Sequence, residues 1–402
     1  MTTLGIIVEY NPFHNGHLYH LQQAKKMIHP ETTIAVMSGS FVQRGEPAIV
    51  DKWTRTKMAL RQGIDLVIEL PTIFAIQSAD WFAFGAISIL EHLKVDHLVF
   101  GSESDSISSL YQIAHVLYKE PDSFKNRIKE ALSLGHSYPK ALSLSLESFL
   151  EQDHVRLKEP NDLLGLQYLI QLKKLNSKIQ AHTIQRKSVH YHEPMLNYSD
   201  SFASATAIRK NILSTNRLDQ IEPVVPSSTY HELERELQHQ RIHSWDHFFP
   251  FLQFLLTTKS HSQLKEIHGI EEGIEYRLKE YAFTSSNFEE LIQSIKTKRY
   301  TRTKLQRMLL HILLNVTKAQ IASLDMKKGP SYLRILGFNE RGRAYLNRIK
   351  HQVQVPMITK ISRHQPQMFE TDVQASMVYE LGLKNRLLTK LEYKQKPIFY
   401  SP

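Results

Sequence analysis

The chain has 402 residues, which is long for one ordinary hydrophobic core and predicts two or three domains. Its composition, with 42% hydrophobic and 22% charged residues, is typical of a soluble globular protein. No apolar run reaches the roughly eighteen residues of a membrane span, and the amino terminus lacks the features of a signal peptide. The absence of cysteine excludes disulfides and thiolate metal sites and fits a reducing compartment.

The net charge of +10 is concentrated in the last quarter of the chain. Residues 296–402 hold 21 Lys and Arg against 6 Asp and Glu, whereas the preceding residues hold 29 against 34. This asymmetry indicates a surface for a polyanion, with a merely solvated basic face as the alternative. A membrane surface is disfavoured, because no strongly amphipathic basic helix carries exposed aromatics.

The first hundred residues alternate between short apolar runs and amphipathic stretches. Strands are predicted at 4–8, 33–37, 66–69 and 97–100, and helices at 18–28, 51–62 and within 75–93. This alternation predicts a parallel sheet with crossover helices. Ligands of such sheets bind at the carboxyl ends of the strands.

The rest of the chain is predicted to be more helical. Residues 105–180 show helical periodicity, with a helix beginning at 160–162 and one more strand at 179–184. Residues 187–200 are polar and irregular, a helix begins within 204–209, and 222–228 is predicted as a linker. Residues 229–402 are predicted to be mainly helical, with an irregular tail or edge segment at 390–402.

The loop after the first strand carries the strongest motif, His14-Asn15-Gly16-His17. The two imidazoles lie three residues apart and fall on one side of the first helical turn. A helix N-terminus suits a phosphate, Gly16 permits a close approach to the backbone, and imidazoles add donors as negative charge develops. A metal pair and a structural role are the alternatives, although no third ligand is nearby and the chain lacks cysteine.

Two later segments supply candidate anion contacts. Residues 38–47 place Arg44 between two glycines after a strand, where a guanidinium can bind a phosphate or carboxylate, and Lys52 begins the next helix. A solvated connecting loop is the alternative for this segment. Ser204, Thr206 and Arg209 begin a later helix, where the hydroxyls either bind phosphate or cap the helix.

A strand followed by His-x-Gly-His at a helix start resembles the signature of the nucleotidyltransferase superfamily, which implies a Rossmann-like fold and histidines on the ATP phosphates. Ser204-x-Thr206-x-x-Arg209 resembles the second phosphate motif of the same superfamily. Over segments 7–20, 38–47, 160–161, 185–187, 204–209 and 336–339, the chain resembles the bacterial tRNA(Met) cytidine acetate ligase family.

The resemblance implies an α/β architecture. Residues 1–222 would form a Rossmann-like parallel-sheet nucleotidyltransferase domain with a helical insertion at about 105–175, and 223–402 a mainly α-helical basic domain that binds tRNA. The implied activity is ATP-dependent activation of acetate as acetyl-adenylate, followed by acetylation of N4 of the wobble cytidine of elongator tRNA(Met). We also expect a cytoplasmic location and Mg²⁺ bound with the ATP. Neither a membrane nor a protein partner is expected.

The resemblance also assigns site residues. His14 and His17 would stabilise the phosphates, and Arg44 or Lys52 would orient acetate or the leaving group. No side chain is predicted as a metal ligand. ATP contacts are expected from Gly101, Asn161, Arg186, Ser204, Thr206, Arg209 and the whole first loop, which comprises Ile7, Val8, Glu9, Tyr10, Asn11, Pro12, Phe13, His14, Asn15, Gly16, His17, Leu18, Tyr19 and His20.

Basic residues with interleaved aromatics predict the RNA surface. A first group surrounds Tyr300 and a second group, which includes Arg334, surrounds Phe338 and Tyr345; the aromatics are alternatively core residues. Two other functions stay open: an adenylyltransferase acting on a small phosphate ester, and a non-catalytic RNA-binding protein with a nucleotide sensor site. The RNA contacts predicted from the two groups are Lys298, Arg299, Arg302, Lys304, Arg307, Arg341 and Arg343.

Overall fold

The computed structural model describes residues 2–136, 138–150, 159–186, 201–271, 273–383 and 390–401. The irregular segment predicted at 187–200, which includes Lys187 of the family resemblance, lies outside the described residues. None of the described helices is long and apolar enough to cross a membrane.

The strands form one large sheet and one small hairpin. The large sheet has the order β10-β8-β5-β2-β1-β6-β7, with β9 paired to β8, and β3 pairs with β4 in the hairpin. Five neighbouring strands of this sheet, in the order β5, β2, β1, β6 and β7, are mutually parallel. This arrangement confirms the Rossmann-like α/β fold class. The strands are β1 (Thr3–Val8), β2 (Thr32–Ser38), β3 (Phe41–Val42), β4 (Glu46–Pro47), β5 (Leu66–Leu70), β6 (His97–Ser102), β7 (Gln180–Gln185), β8 (Leu333–Phe338), β9 (Met357–Ile358) and β10 (Ile398–Phe399).

Helices cover both faces of this sheet, and in the insertion α5 packs on α8 and α6 on α7. The helices that precede residue 223 are α1 (Asn15–Ile28), α2 (Lys52–Arg61), α3 (Thr72–Ala75), α4 (Ala79–His92), α5 (Ile107–Lys119), α6 (Asp122–Ser133), α7 (Tyr138–Leu150), α8 (Pro160–Lys174) and α9 (Ala205–Thr215). Those that follow are α10 (Ser227–Gln238), α11 (Trp245–Thr258), α12 (His261–Lys265), α13 (Ile274–Thr284), α14 (Phe288–Ile295), α15 (Arg302–Leu313), α16 (Lys318–Ser323), α17 (Glu340–Ile349), α18 (Gln367–Leu381) and α19 (Leu391–Lys394).

The apolar strands are buried on both faces, as a sheet covered by crossover helices requires. Along β2, Ile34 and Val36 belong to one hydrophobic cluster, whereas Ala35 and Met37 belong to another. Successive side chains point to opposite faces of a sheet, so the two clusters are the cores above and below it. The carboxyl ends of β1, β2, β5, β6 and β7 therefore share one edge, where the predicted site loops begin.

The region after residue 222 is largely helical, as predicted, but it also completes the sheet. Strand β8 pairs antiparallel with β5, and β10 adds the predicted edge segment beside β8. The run Leu333–Phe338 was not distinguished as a strand in the sequence, because its pairing partner lies more than 260 residues earlier. The predicted linker at 222–228 contains a short 3-10 turn, Glu222–Val224, and α10 begins at Ser227.

Candidate active site

A cavity of about 590 Å³ opens at the carboxyl edge of the sheet. Its walls come from the loop after β1, the loop that carries β3 and β4, the end of β6, the start of α8, the end of β7 and the start of α9. All the ATP-contact segments predicted from the sequence therefore meet in one place. The volume is in the range of small-molecule and cofactor sites.

The first loop supplies part of the wall and part of its support. Asn11 Oδ1 accepts the Ile49 N–H at 2.7 Å, and Asn15 Nδ2 donates to the carbonyls of Ser201 and Pro223 at 2.9 Å. Phe13 is wholly buried in the core. Among the predicted contacts, Asn11, Pro12, Phe13, Asn15 and Leu18 do not line the cavity, whereas Ile7, Val8, Glu9, Tyr10, His14, Gly16, His17, Tyr19 and His20 do.

His14 and His17 begin α1 in an arrangement that fixes their tautomers. His14 is the N-cap, and its Nδ1 accepts the Gly16 N–H at 3.0 Å. His17 Nδ1 accepts the His14 N–H at 3.3 Å. With both Nδ1 atoms accepting, each neutral ring keeps its proton on Nε2, which is the atom left to donate to a ligand.

Both imidazoles are neutral at physiological pH. Burial, helped by the positive charges of Arg186 and Arg209, lowers the pKa of His14 to about 3. Burial and the neighbouring His14 lower the pKa of His17 well below its usual value. The rings stack with centroids 3.8 Å apart, so charging one would also oppose charging the other. The pair therefore acts through neutral N–H donors.

The loop that contains β3 and β4 forms the second wall. Arg44 and Gln43 line the cavity, together with Glu46. The loop is held from behind by later helices: Trp245 Nε1 donates to the Gly45 carbonyl at 3.0 Å, and Arg307 donates to the Gln43 carbonyl at 3.3 Å. These contacts tie α11 and the predicted RNA helix α15 to the active-site loop.

Lys52 is placed away from the cavity, contrary to its predicted role with acetate. Its Nζ lies 2.8 Å from carboxylate oxygens of both Glu69 and Glu392, and its side chain is 2% exposed. Burial alone would lower the pKa of Lys52, but the charges of Glu392 and Glu69 raise it. Lys52 is therefore committed to a buried ion cluster because α2 begins beneath the loop rather than facing the cavity.

The third wall joins β6, β7 and α8. Arg186 donates to Asn161 Oδ1 at 3.1 Å, and both side chains line the cavity beside Gly101. A Cβ at Gly101 would lie 3.3 Å from Arg186 Cγ, so glycine leaves the arginine its space. Asp162 lies behind this wall and accepts the Ser102 hydroxyl at 2.5 Å and the Glu103 N–H at 3.1 Å.

The start of α9 closes the site. Ser204 is the N-cap, since its hydroxyl accepts the Ala207 N–H at 3.1 Å, and Thr206 and Arg209 also line the cavity. Arg209 donates to the Asn11 carbonyl at 3.0 Å and forms an ion pair with Glu46 at 3.0 Å. The Arg209 guanidinium thus links the loop after β1 to the loop that contains β3 and β4.

The two basic groups, one around Tyr300 and one around Phe338 and Tyr345, lie at opposite ends of the strands of the sheet. Arg307 contacts the active-site loop, and Lys298, Arg299, Arg302 and Lys304 are exposed in and just before the same helix. Arg341 and Arg343 are in α17, which begins where Asn339 donates to Asp65 at the amino end of β5. The second group is therefore remote from the cavity, because β8 runs antiparallel to β5 and delivers α17 to the other edge.

The interleaved aromatics are core residues rather than stacking platforms. Tyr300 and Tyr345 are 6% and 1% exposed, and Phe338 packs partly buried beside Phe399. Arg334 of the second group is fully buried and paired with Glu392 at 3.1 Å. The apolar surfaces of these aromatics are used by the core, so the predicted RNA contacts are left to the cations.

Several cavity residues were not identified from the sequence. Phe82, Phe100 and Tyr168 line it as nearly buried rings, and Glu46 contributes a carboxylate. Their sequence patterns are those of ordinary apolar positions, and only the fold brings them to one edge. Among the described residues, no group of three or more side chains is arranged to hold a metal ion.

Comparisons with known proteins agree with this geometry. A family model described as HIGH Nucleotidyl Transferase matches residues 1–394. The chain is 45% identical over 408 residues to the tRNA(Met) cytidine acetate ligase of Caldicellulosiruptor saccharolyticus, covering 99% of each chain. It is 42% identical over 404 residues to that of Anoxybacillus flavithermus, covering 99% of this chain and 100% of the relative.

Two solved structures are also similar to this chain over almost its whole length. Thermotoga maritima TmcAL superposes with TM-scores of 0.91 in its apo form and 0.90 when bound with alpha-thio ATP. The sequence identities are 34% and 35%, and each match covers 99% of both chains. With a site in which every wall is built from the predicted motifs and a full-length similarity of this extent, the chain belongs to the tRNA(Met) cytidine acetate ligase family of HIGH nucleotidyl transferases.

Proposed function

We propose that this chain is an ATP-dependent ligase that activates acetate as acetyl-adenylate and transfers the acetyl group to N4 of the wobble cytidine of elongator tRNA(Met). The observation that carries the proposal is that His14, His17, Arg186 and Arg209 share one cavity in a chain similar over its full length to ligases of this name. These groups suit a bound nucleoside triphosphate, because each offers N–H donors or positive charge to phosphate oxygens.

In the first step an acetate oxygen attacks the α-phosphorus of ATP, and pyrophosphate leaves. Negative charge builds on the phosphate oxygens, where the Nε2 protons of His14 and His17 donate without bringing a charge of their own. Arg209 and the start of α9 hold the outer phosphates, and Arg186 with Asn161 holds the nucleoside side. Catalysis is positioning and electrostatic stabilisation, with no covalent enzyme intermediate.

Arg44 is the remaining candidate for orienting acetate, since Lys52 is committed to the buried cluster. A guanidinium binds a carboxylate in a fixed orientation, which would align one acetate oxygen with the α-phosphorus. Glycines at 39 and 45 bracket the segment that carries it.

Mg²⁺ would enter with ATP. Because the described residues offer no cluster of three ligating side chains, phosphate oxygens and water would supply most of its coordination. When bound, the ion would neutralise part of the triphosphate charge.

We assign the ATP chemistry to residues 1–222, with the helical insertion at about 105–175, and tRNA binding to residues 223–402. The contact of Arg307 with the active-site loop supports a role for the cations at 298–307 in guiding the anticodon to the cavity. A tRNA substrate also supports a cytoplasmic location. An anticodon base is already single-stranded, which lowers the cost of turning it into the site.

Incubation with ATP, radiolabelled acetate and bulk tRNA tests the proposal. We expect label in the tRNA together with AMP and pyrophosphate. Turnover of a mononucleotide substrate with no label in tRNA would favour a small-molecule adenylyltransferase. Binding of tRNA without AMP or pyrophosphate would favour a non-catalytic RNA-binding protein.

A further inference from the structure

Two carboxylates line a cavity whose other polar groups suit anions: Glu46, which is paired with Arg209, and Glu9. Glu9 follows β1 directly and lines the cavity with His14 and His17. ATP and acetate are both anions, and a carboxylate repels both. The cytosine amine is the one reacting group among the proposed substrates that offers hydrogen-bond donors, and carboxylates accept from cytosine N4.

The Glu9 carboxylate is held in one orientation. Its Oε1 accepts the Gln43 N–H at 2.9 Å, and its own backbone carbonyl accepts from Arg55 at 2.7 Å. Arg55 is fully buried and also donates to the carbonyls of Ser38 and Gly39. Within the part of the chain that the structure describes, Glu9 Oε2 has no hydrogen-bond partner, so this oxygen is available to a ligand.

Glu9 shares the cavity with nearly buried aromatic rings and with cations. Tyr168, Phe82 and Phe100 line the cavity as nearly buried rings, and the charge of Glu9 contributes, after burial, to a raised pKa of Tyr168. Burial also raises the pKa of Glu9 itself above its usual value, against the lowering effect of Gln43 and Arg44. The charged and titratable groups that act on Glu9 are Arg44, Arg209, Glu46 and Tyr168.

We propose that Glu9 binds the N4 amine of the target cytosine through Oε2 and accepts its proton during acetyl transfer. The N4 lone pair forms a bond to the acetyl carbonyl carbon, the bond from that carbon to the phosphate oxygen of AMP breaks, and AMP leaves with its electron pair. The proton lost by N4 passes to Glu9 Oε2 and then to solvent. The inference rests on the proposed function and names the residue that serves its second step.

The test separates the two steps in the full-length protein. Acetate-dependent exchange of radiolabelled pyrophosphate into ATP measures adenylate formation. Single-turnover transfer of labelled acetate to elongator tRNA(Met) at saturating ATP measures the second step. The variants are Glu9→Gln, which keeps the shape and an acceptor for the Gln43 N–H, Glu9→Asp, and the control Asp122→Asn at a side chain that is 97% exposed.

We expect Glu9→Gln to keep pyrophosphate exchange within about threefold of wild type and to slow transfer about 10²–10³-fold, as loss of a general base does. Glu9→Asp is expected to recover part of the transfer rate, and Asp122→Asn to match wild type. The wild-type transfer rate is expected to fall on the acid side as Glu9 takes up a proton, and this fall is expected to be absent in Glu9→Gln.

Two results would overturn the inference while leaving the proposed function intact. If exchange and transfer fall together, Glu9 contacts ATP, acetate or Mg²⁺. If transfer in Glu9→Gln stays near the wild-type rate, another group takes the proton. If wild type shows neither exchange nor transfer, the proposed function fails, and the inference fails with it.

Discussion

His14 and His17 stack with their ring centroids 3.8 Å apart, and a backbone N–H occupies Nδ1 of each ring. The first turn of α1 thereby fixes two neutral donors side by side in the wall of the cavity. In the motif His-x-Gly-His, two backbone N–H groups set the tautomers so that each ring carries its proton on Nε2, and Gly16 provides one of these two donors.

Replacing His17 by alanine removes one of these donors. We expect His17→Ala to lower acetate-dependent pyrophosphate exchange about 10²–10³-fold, since loss of a single stabilising donor has effects of this size. The dissociation constant for tRNA should stay within about twofold, because the cations at 298–307 lie on another element. Filter binding of labelled tRNA provides the second measurement, and a loss of tRNA binding equal to the loss of exchange would show that the loop is not primarily an ATP site.

Buried histidines make stability depend on pH. The pKa values of His14, His243 and His311 are lowered to about 3 and that of His20 to about 4, in each case chiefly by burial. The unfolded chain takes up these protons near pH 6.5, so each histidine lowers stability by up to about 1.4 kcal/mol per pH unit as the pH falls from about 6.5 toward 4. Above pH 6.5 their contribution is constant.

His243→Gln isolates one of these groups outside the cavity. Urea unfolding at pH 7.5, 6.5 and 5.5 should show that the variant loses less stability on acidification than wild type does. Curves that run parallel for the two proteins across this range would contradict the assignment of His243 as a neutral buried group.

Variants of Lys52 and Arg44 test which of these two side chains orients acetate. Lys52→Met leaves Glu69 and Glu392 without their shared cation, so we expect the free energy of unfolding to fall by about 3 kcal/mol. The KM for acetate in the folded protein should change less than twofold. Arg44→Ala should raise that KM about tenfold or more, and the reverse pattern would return Lys52 to the acetate site.

The two basic groups should differ in their effect on tRNA. Lys298→Ala combined with Lys304→Ala is expected to weaken tRNA binding and to reduce the slope of log K against log salt by about one per lost phosphate contact. Arg341→Ala combined with Arg343→Ala removes the same charge at the other edge of the sheet. Equal losses of affinity in the two double variants would show that the tRNA spans both edges.

The sequence predicted the parts of this molecule that depend on local pattern. The alternating strands and helices of the first hundred residues are confirmed, because a strand followed by a loop and a helix start is a continuous piece of chain. His14 and Arg209, and Arg186 from the family resemblance, line one cavity, and their contacts with ATP stay predictions. The family resemblance extended the strand and helix predictions to the whole fold.

Predictions that depended on which way a side chain faces were less successful. Lys52 begins a helix after the loop that carries Arg44 and was expected to orient acetate, yet it is buried in an ion cluster. Arg55, in the same helical turn, is likewise buried, among backbone carbonyls. Arg341 and Arg343 form a second basic group that was predicted to contact RNA together with the group of Arg302, and the antiparallel pairing of β8 with β5 places this second group at the other end of the strands. Such relationships arise from long-range pairing, which composition and periodicity do not encode.

The most direct test is the position of the acetyl group in the product. Purified elongator tRNA(Met) should be incubated with the protein, ATP and labelled acetate, digested to nucleosides and fragments, and analysed by mass spectrometry. The account predicts one acetyl group per tRNA, on N4 of the wobble cytidine, with stoichiometric AMP and pyrophosphate. An unmodified wobble cytidine in the presence of active turnover of ATP would contradict it.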